Sequence, residues 1–238
     1  MTGAAPAVDL APEGSLFAHL RAAAGGEWIA YTNHPFVRAV GDGSLPEACF
    51  RHYLGQDYLF LIHFARAYAL AAYKGEALAD IRHAIAGAST TLREMGFHVE
   101  YCAGWGMSEA EMAALPEARE TMAYTRYVLE RGLSGDLLDL HTALSPCVVG
   151  YAEIANRLMA DPATRLENNP YRSWIEMYAA TDYQDVARAA IAQLDRLAEA
   201  RAGGAVPVGA RMASLVTTFT QATRLEADFW QMGLSAAP

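Results

Sequence analysis

Apolar residues return along this chain every three to four positions, in long runs punctuated by glycine and proline, and that rhythm is the period of an α-helix. The first run opens at Ser15, a good N-cap residue, and sets Leu16, Leu20, Ala24 and Trp28 on one face. It predicts an amphipathic helix from Ser15 to about Tyr31. Asn33-His34-Pro35 stops it, Gly41-Asp42-Gly43 reads as a turn, and Ser44 followed by Pro46 starts the next helix, to about Tyr73. The inward stripe of that helix is Phe50, Leu54, Asp57/Tyr58, Leu61, Phe64/Ala65 and Tyr68. From Ala77 to about Cys102 the spacing of Leu78, Ile81, Ile85, Leu92 and Val99 predicts one helix, or two with a break near Gly87.

The second half keeps the same period. Ser108 caps a short helix to Ala114, with Glu109 and Glu111 in its first turn. Pro116 starts another to Leu133, carrying Tyr124, Tyr127 and Val128. Leu137 to Leu158 is a long apolar segment ended by Asp161-Pro162, and Pro170 introduces Tyr171 to Tyr178. Asp182 heads a helix to about Arg201, closed by Gly203-Gly204, and the last helix runs from about Val208 to Leu234. No segment alternates with period two, so the expected fold is all-α: eight to ten helices in a single-domain bundle, with no repeat and no linker. Residues 1–14, rich in Ala, Pro and Gly, read as a flexible N-terminal tail, and 15–238 as the domain.

Composition narrows the partners. The chain has 238 residues, 53% apolar and 19% charged, enough to bury a real core. Its formal net charge of −9 argues against a nucleic acid or an anionic membrane as partner. Cys49, Cys102 and Cys147 are three, widely spaced, and without a CxxC pair, the pattern of a reducing compartment with neither disulfide framework nor structural zinc. Met1 to Gly14 lacks the signal-peptide pattern, and the most apolar window, Leu59 to Tyr73, is interrupted by His63 and Arg66 and too short to span a bilayer. The expected location is the cytoplasm.

Chemistry is concentrated at Ser145-Pro146-Cys147-Val148-Val149-Gly150-Tyr151. Cys147 and Tyr151, four apart, share a helix face and can project into one cavity, and Pro146 predicts a bend. A lone cysteine on a helix is usually core filler. Two acids, however, stand on inward stripes: Asp57 between Leu54 and Leu61, and Glu226 in line with Leu215, Phe219, Ala222 and Phe229/Trp230. A buried carboxylate is costly unless paired or hydrogen-bonded, and polar groups converging inside a bundle are a usual setting for a small-molecule site. Glu94 and His98 are also four apart, but the Glu-x-x-His pairs of di-iron bundles are missing, so a metal-dependent or heme-linked oxidase ranks low.

Four pieces then combine in order: His34-Pro35-Phe36-Val37 with Gly41-Asp42-Gly43-Ser44-Leu45-Pro46; Gln56-Asp57-Tyr58-Leu59-Phe60-Leu61-Ile62-His63-Phe64; Ser145-Pro146-Cys147 with Tyr151; and Glu226-Ala227-Asp228-Phe229-Trp230. Together they resemble the TenA family (thiaminase II, aminopyrimidine aminohydrolase), in its cysteine-bearing branch, over nearly the whole chain from Trp28 to Gly233. The resemblance implies a heme-oxygenase-like all-α fold and a thiamine-salvage hydrolase. Such an enzyme replaces the amino group of 4-amino-5-aminomethyl-2-methylpyrimidine by hydroxyl, and also cleaves thiamine to pyrimidine and thiazole. It assigns Cys147 as nucleophile, Glu226 as general acid/base, Asp57 as the carboxylate at the amidine edge of the ring, and Tyr124, Tyr151 and Tyr178 as pocket tyrosines. Phe60 stands where some members have tyrosine and keeps a stacking wall without the hydroxyl. His34 is expected in a loop or cap, His63 and His98 as core or inter-helix hydrogen-bonders, and Cys49 and Cys102 as packing residues. The resemblance implies a homotetramer binding a small aminopyrimidine or thiamine, with no cofactor and no metal. The competing expectation is a non-catalytic pyrimidine- or thiamine-binding or regulatory protein on the same fold.

Overall fold

The computed structural model describes residues 9–204 and 206–236. Among these residues there are ten helices: α1 (Leu16–Thr32), α2 (Pro35–Asp42), α3 (Glu47–Lys74), α4 (Leu78–Ala103), α5 (Glu109–Ala113), α6 (Arg119–Ser134), α7 (Leu137–Ala160), α8 (Arg172–Ala179), α9 (Thr181–Ala202) and α10 (Gly209–Leu234). Helix α7 is the axis. It is buried almost from end to end and flanked by α6, α8, α9 and α10, while α3 packs along α4 and α1 along α10. Of the expected N-terminal tail, residues 1–8 lie outside the described residues. Positions 10 and 11 are buried, and Asp9 pairs with Arg21 on α1 at 2.7 Å.

Side-chain caps start four of the described helices, α1, α2, α5 and α7. Ser15 accepts from the Ala18 amide to start α1, and Ser108 and Glu111 close a capping box on α5. The stretch read as a turn at 41–43 is the end of a further helix, α2. His34 caps it by accepting from the Phe36 amide at 3.2 Å, Pro35 fills its first turn, and Gly43 ends it in the left-handed conformation (φ 77°). Its eight residues are too few for a visible apolar period, which is why only its stop signal stood out in the sequence.

Gly87 and Pro146 both lie inside unbroken helices. Helix α4 is continuous at Gly87, because the glycine is there for proximity: the Tyr68 ring of α3 lies where a Cβ would project. On that helix Leu78, Ile85 and Leu92 face outward, and the buried positions are Asp80, Ala84, Gly87, Thr91, His98 and Cys102. Helix α7 likewise runs through Pro146 as one helix, with none of the non-helical dihedrals found at Gly25 of α1. Proline has no amide to offer the Thr142 carbonyl, one turn earlier. The hydroxyl of Ser145 donates to that carbonyl instead, at 3.0 Å, and α7 continues as one helix across the proline.

Candidate functional site

Helix packing brings the residues singled out in the sequence to one region around the middle of α7. Cys147 and Tyr151 come from α7, Asp57 and Phe60 from α3, Tyr124 from α6, Tyr178 from α8 and Glu226 from α10, and all seven are buried. Cys147 keeps 9% of its surface accessible at the centre of this buried helix. Phe60 packs on Tyr124 and Phe229, with ring centroids 4.9 and 5.6 Å away, and makes an apolar wall. Trp230 is fully buried beneath Tyr151, stacked on Phe36 at 5.0 Å. Cys49 and Cys102 are buried elsewhere as packing residues, the Cys49 thiol donating to the Leu234 carbonyl.

Glu226 is a buried acid whose hydrogen-bonding neighbours are neutral. Burial raises its pKa to about 8, partly opposed by the hydrogen bond from Tyr124, while the charge of Asp57 raises it further and the Cys147 thiol lowers it. Tyr124 Oη donates to Glu226 Oε1 at 2.8 Å. Cys147 is pushed well above the usual thiol range, first by burial and then by the charges of Glu226, Glu94 and Asp57. At neutral pH it is a thiol, and it becomes a nucleophile only by handing its proton to a base. A carboxyl poised near 8 beside it is matched to taking that proton and returning it. The tyrosines Tyr124, Tyr151 and Tyr178 are also held well above their ordinary range by burial, so they remain hydroxyl donors.

Asp57 is built differently. Its Oδ2 receives Tyr53 Oη at 3.2 Å and His98 Nε2 at 2.6 Å, whereas Oδ1 takes no protein hydrogen bond among the described residues. One oxygen is spent on anchoring and the other is open to a ligand. His98 is fully buried, and its second nitrogen, Nδ1, faces the Glu94 carbonyl at 2.8 Å. Two acceptors on one ring are satisfied together only by the imidazolium. Burial lowers the His98 pKa, but the hydrogen bond and charge of Asp57 outweigh it and the net shift is upward. His98 is thus the inter-helix hydrogen-bonder expected from the sequence, with a larger role: it fixes the Asp57 carboxylate.

Several further residues of the site were missed. Glu94, noticed only as half of an unconvincing metal pair, accepts from Tyr178 Oη, and burial raises its pKa to about 7. Tyr53 bonds both Asp57 and, at 3.3 Å, Tyr151 Oη, and Trp174 Nε1 donates to Tyr53 Oη. The available signal was position: Tyr53 is one turn before Asp57, and Glu94 one turn before His98. No group of three His, Cys, Asp or Glu among the described residues is arranged to hold a metal ion. A surface groove of about 690 Å³ between α4 and the α8–α9 junction has Glu94 and Tyr183 in its wall. No described helix is long and apolar enough to cross a membrane.

The sequence profile of the TENA/THI-4/PQQC family matches residues 22–236. An aminopyrimidine aminohydrolase of Halalkalibacterium halodurans is 37% identical over 207 residues, 86% of this chain and 89% of that protein. A crystal structure from Silicibacter sp. TM1040, described as a TenA family transcription regulator, is 45% identical, covers 94% of this chain and 98% of its own, and superposes with a TM-score of 0.89. A domain from Shewanella denitrificans described as having a heme oxygenase-like fold superposes with a TM-score of 0.70 at 16% identity, covering 92% of each chain. That last likeness is one of fold, and it gives this bundle the architecture expected from the sequence.

Proposed function

The chain belongs to the TENA/THI-4/PQQC family, and from that premise we propose that it is an aminopyrimidine aminohydrolase of thiamine salvage, acting in the cytoplasm through a cysteine. Its substrate is 4-amino-5-aminomethyl-2-methylpyrimidine and its products are the hydroxymethyl pyrimidine and ammonia. Thiamine, which carries the same pyrimidine on a thiazolium, is cleaved by the same chemistry. One juxtaposition supports the reading: a thiol and a carboxyl poised near neutrality on facing helices, both within range of the charge of Asp57.

The steps follow from those groups. Asp57 Oδ1 accepts from the amidine edge of the ring. Cys147 passes its proton to Glu226 as the sulfur adds to a ring carbon. Glu226 gives that proton to the departing amine, and the C–N bond breaks with its electron pair on nitrogen. Water then loses a proton to Glu226 while its oxygen bonds the exocyclic methylene. Finally the C–S bond breaks with its pair on sulfur, which takes the proton back. The enzyme returns to its starting state, and the sum is amine plus water to alcohol plus ammonia.

Ammonia release from the aminopyrimidine by wild type and Cys147→Ala tests this. Release that disappears in the variant is expected. A wild type that binds the pyrimidine but releases no ammonia would instead make the protein a non-catalytic binder or regulator. The assembly proposed alongside is a homotetramer, supported by the outward Leu78, Ile85 and Leu92, a seven-residue apolar repeat along α4. A monomer by light scattering at micromolar concentration would refute it.

A further inference from the structure

Most tyrosines of the site have committed their protons. Tyr124 gives its proton to Glu226 and Tyr178 to Glu94. Tyr53 gives its own to Asp57, so in its contact with Tyr151 the donor is Tyr151. Two tyrosines differ: Tyr68 of α3 and Tyr183 of α9 form no hydrogen bond among the described residues. Tyr68 is 4% exposed and packs edge-on against Phe64 at 5.5 Å, and Phe64 in turn stacks on Phe60. Tyr183 packs edge-on against Tyr178 at 4.7 Å. Both phenols are within electrostatic range of Cys147, and Tyr183 is also in range of Glu226. Burial raises the pKa of each, so each keeps a proton to donate.

Hydrolysis has a use for two such donors. A water inside a bundle is held only where several polar groups meet it. The attacking water must keep one lone pair for the methylene and one proton for Glu226, which leaves its other lone pair to be fixed by a donor. Water also has a way in. A cavity of about 60 Å³ between α4 and α9, with Tyr68, His83, Gly87 and Thr90 in its wall, has room for about two water molecules. It shares Thr90 and Val186 with the wider groove at the surface. We propose that Tyr183 and Tyr68 place the hydrolytic water, Tyr183 donating to the oxygen that attacks and Tyr68 holding the water that follows it. The inference rests on the hydrolase reading and names the groups that handle its second substrate. In the capture step the water oxygen forms the C–O bond with one of its electron pairs, its proton passes to the Glu226 carboxylate, and the pair of the exocyclic double bond moves into the ring.

Ammonia departs before water is captured, so a hydroxyl that serves only the capture has a kinetic signature of its own. Tyr183→Phe keeps the ring against Tyr178 and removes the donor. In rapid-quench assays of the full chain with the aminopyrimidine, this variant is expected to release ammonia in a burst stoichiometric with the protein, followed by turnover about tenfold slower than wild type. Its kcat and KM fall together and kcat/KM is unchanged, because the steps up to amine departure are untouched. Tyr68→Phe is expected to act in the same direction by about threefold. An unchanged kcat in Tyr183→Phe, or a fall in kcat/KM without a burst, as a merely structural role would give, overturns the proposal. Wild type measured in parallel keeps the two readings apart. Ammonia from wild type with no burst in Tyr183→Phe removes the water site and leaves the hydrolase, whereas no ammonia from wild type removes both.

Discussion

Two acids are buried in this bundle to nearly the same degree and answer to opposite rules. Asp80, on α4, is 4% exposed, and Glu226, on α10, is 2% exposed. Burial raises the pKa of both. At Asp80 the hydrogen bonds and charge of Arg196, with Gln193 at 2.9 Å, more than reverse the effect, and the carboxylate is held below its ordinary range. At Glu226 only a tyrosine and a thiol are present, and the pKa remains at about 8. A buried acid that has been given a cation is a fixed charge and a structural tie. One denied a cation can carry a proton at neutral pH, and that makes it useful for chemistry. Loss of accessible surface alone does not separate the two cases.

The contrast can be tested, beginning with the largest effect. Cys147→Ala should lower kcat by on the order of 10³-fold or more, because no other nucleophile adjoins Glu226, and retained turnover would separate the proton carrier from the chemistry assigned to it. Glu226→Gln should lower kcat by about 10²-fold with pyrimidine affinity retained, and should remove the rise of kcat/KM with pH through about 8 expected of wild type. Near-normal turnover in that variant would place the proton shuttle elsewhere. Asp80→Asn should do the opposite. It leaves the partly exposed Arg196 without its counter-charge and costs about 2 kcal/mol in denaturant unfolding, while kcat per folded molecule is unchanged. A loss of kcat without loss of stability would erase the distinction between the two acids.

The smallest effect concerns pH and stability. Glu226 keeps its proton in the fold up to about pH 8 but loses it near the ordinary 4.5 when unfolded. Its contribution is therefore complete below 4.5 and is lost as pH rises through 8, with Glu94, raised to about 7, acting in the same direction. Between pH 7 and 9 the Glu226 part amounts to about 1.4 kcal/mol. Unfolding free energies at those two pH values, in wild type and Glu226→Gln, should differ by that amount in their slopes, and parallel slopes would contradict a protonated Glu226.

Much of the architecture was legible because long amphipathic helices repeat one signal many times. Seven long helices were found within a few residues of their ends, whereas α2 was lost because eight residues hold too little period to register. The glycine at 87 and the proline at 146 both sit inside continuous helices, and each is accommodated by a tertiary or side-chain contact absent from the local pattern, the Tyr68 ring in one case and Ser145 Oγ in the other. In the site, Asp57 and Glu226 stood out as acids out of place on apolar faces, and Cys147 through the resemblance carried by Ser145-Pro146-Cys147. Glu94 and His98 did not, because their surroundings on α4 are themselves polar and small. Their importance lies in what crosses to them from α3 and α8, Asp57 and Tyr178, and no periodicity on one helix encodes that.

The exchange at Ser145 and Pro146 has a mechanical side. A helix transmits displacement stiffly because each turn is tied to the next by backbone hydrogen bonds; at Thr142 one such tie has been replaced by a hydroxyl on a rotatable side chain. The joint lies one residue before Cys147. For the sulfur to bond a ring it must close roughly 1.5 Å from an initial separation of about 3–3.5 Å. With α7 compliant at that point, the cysteine can make the excursion while the N-terminal half of the helix, tied to α10 by Arg211 through Asp136 and Asp139, stays where it is.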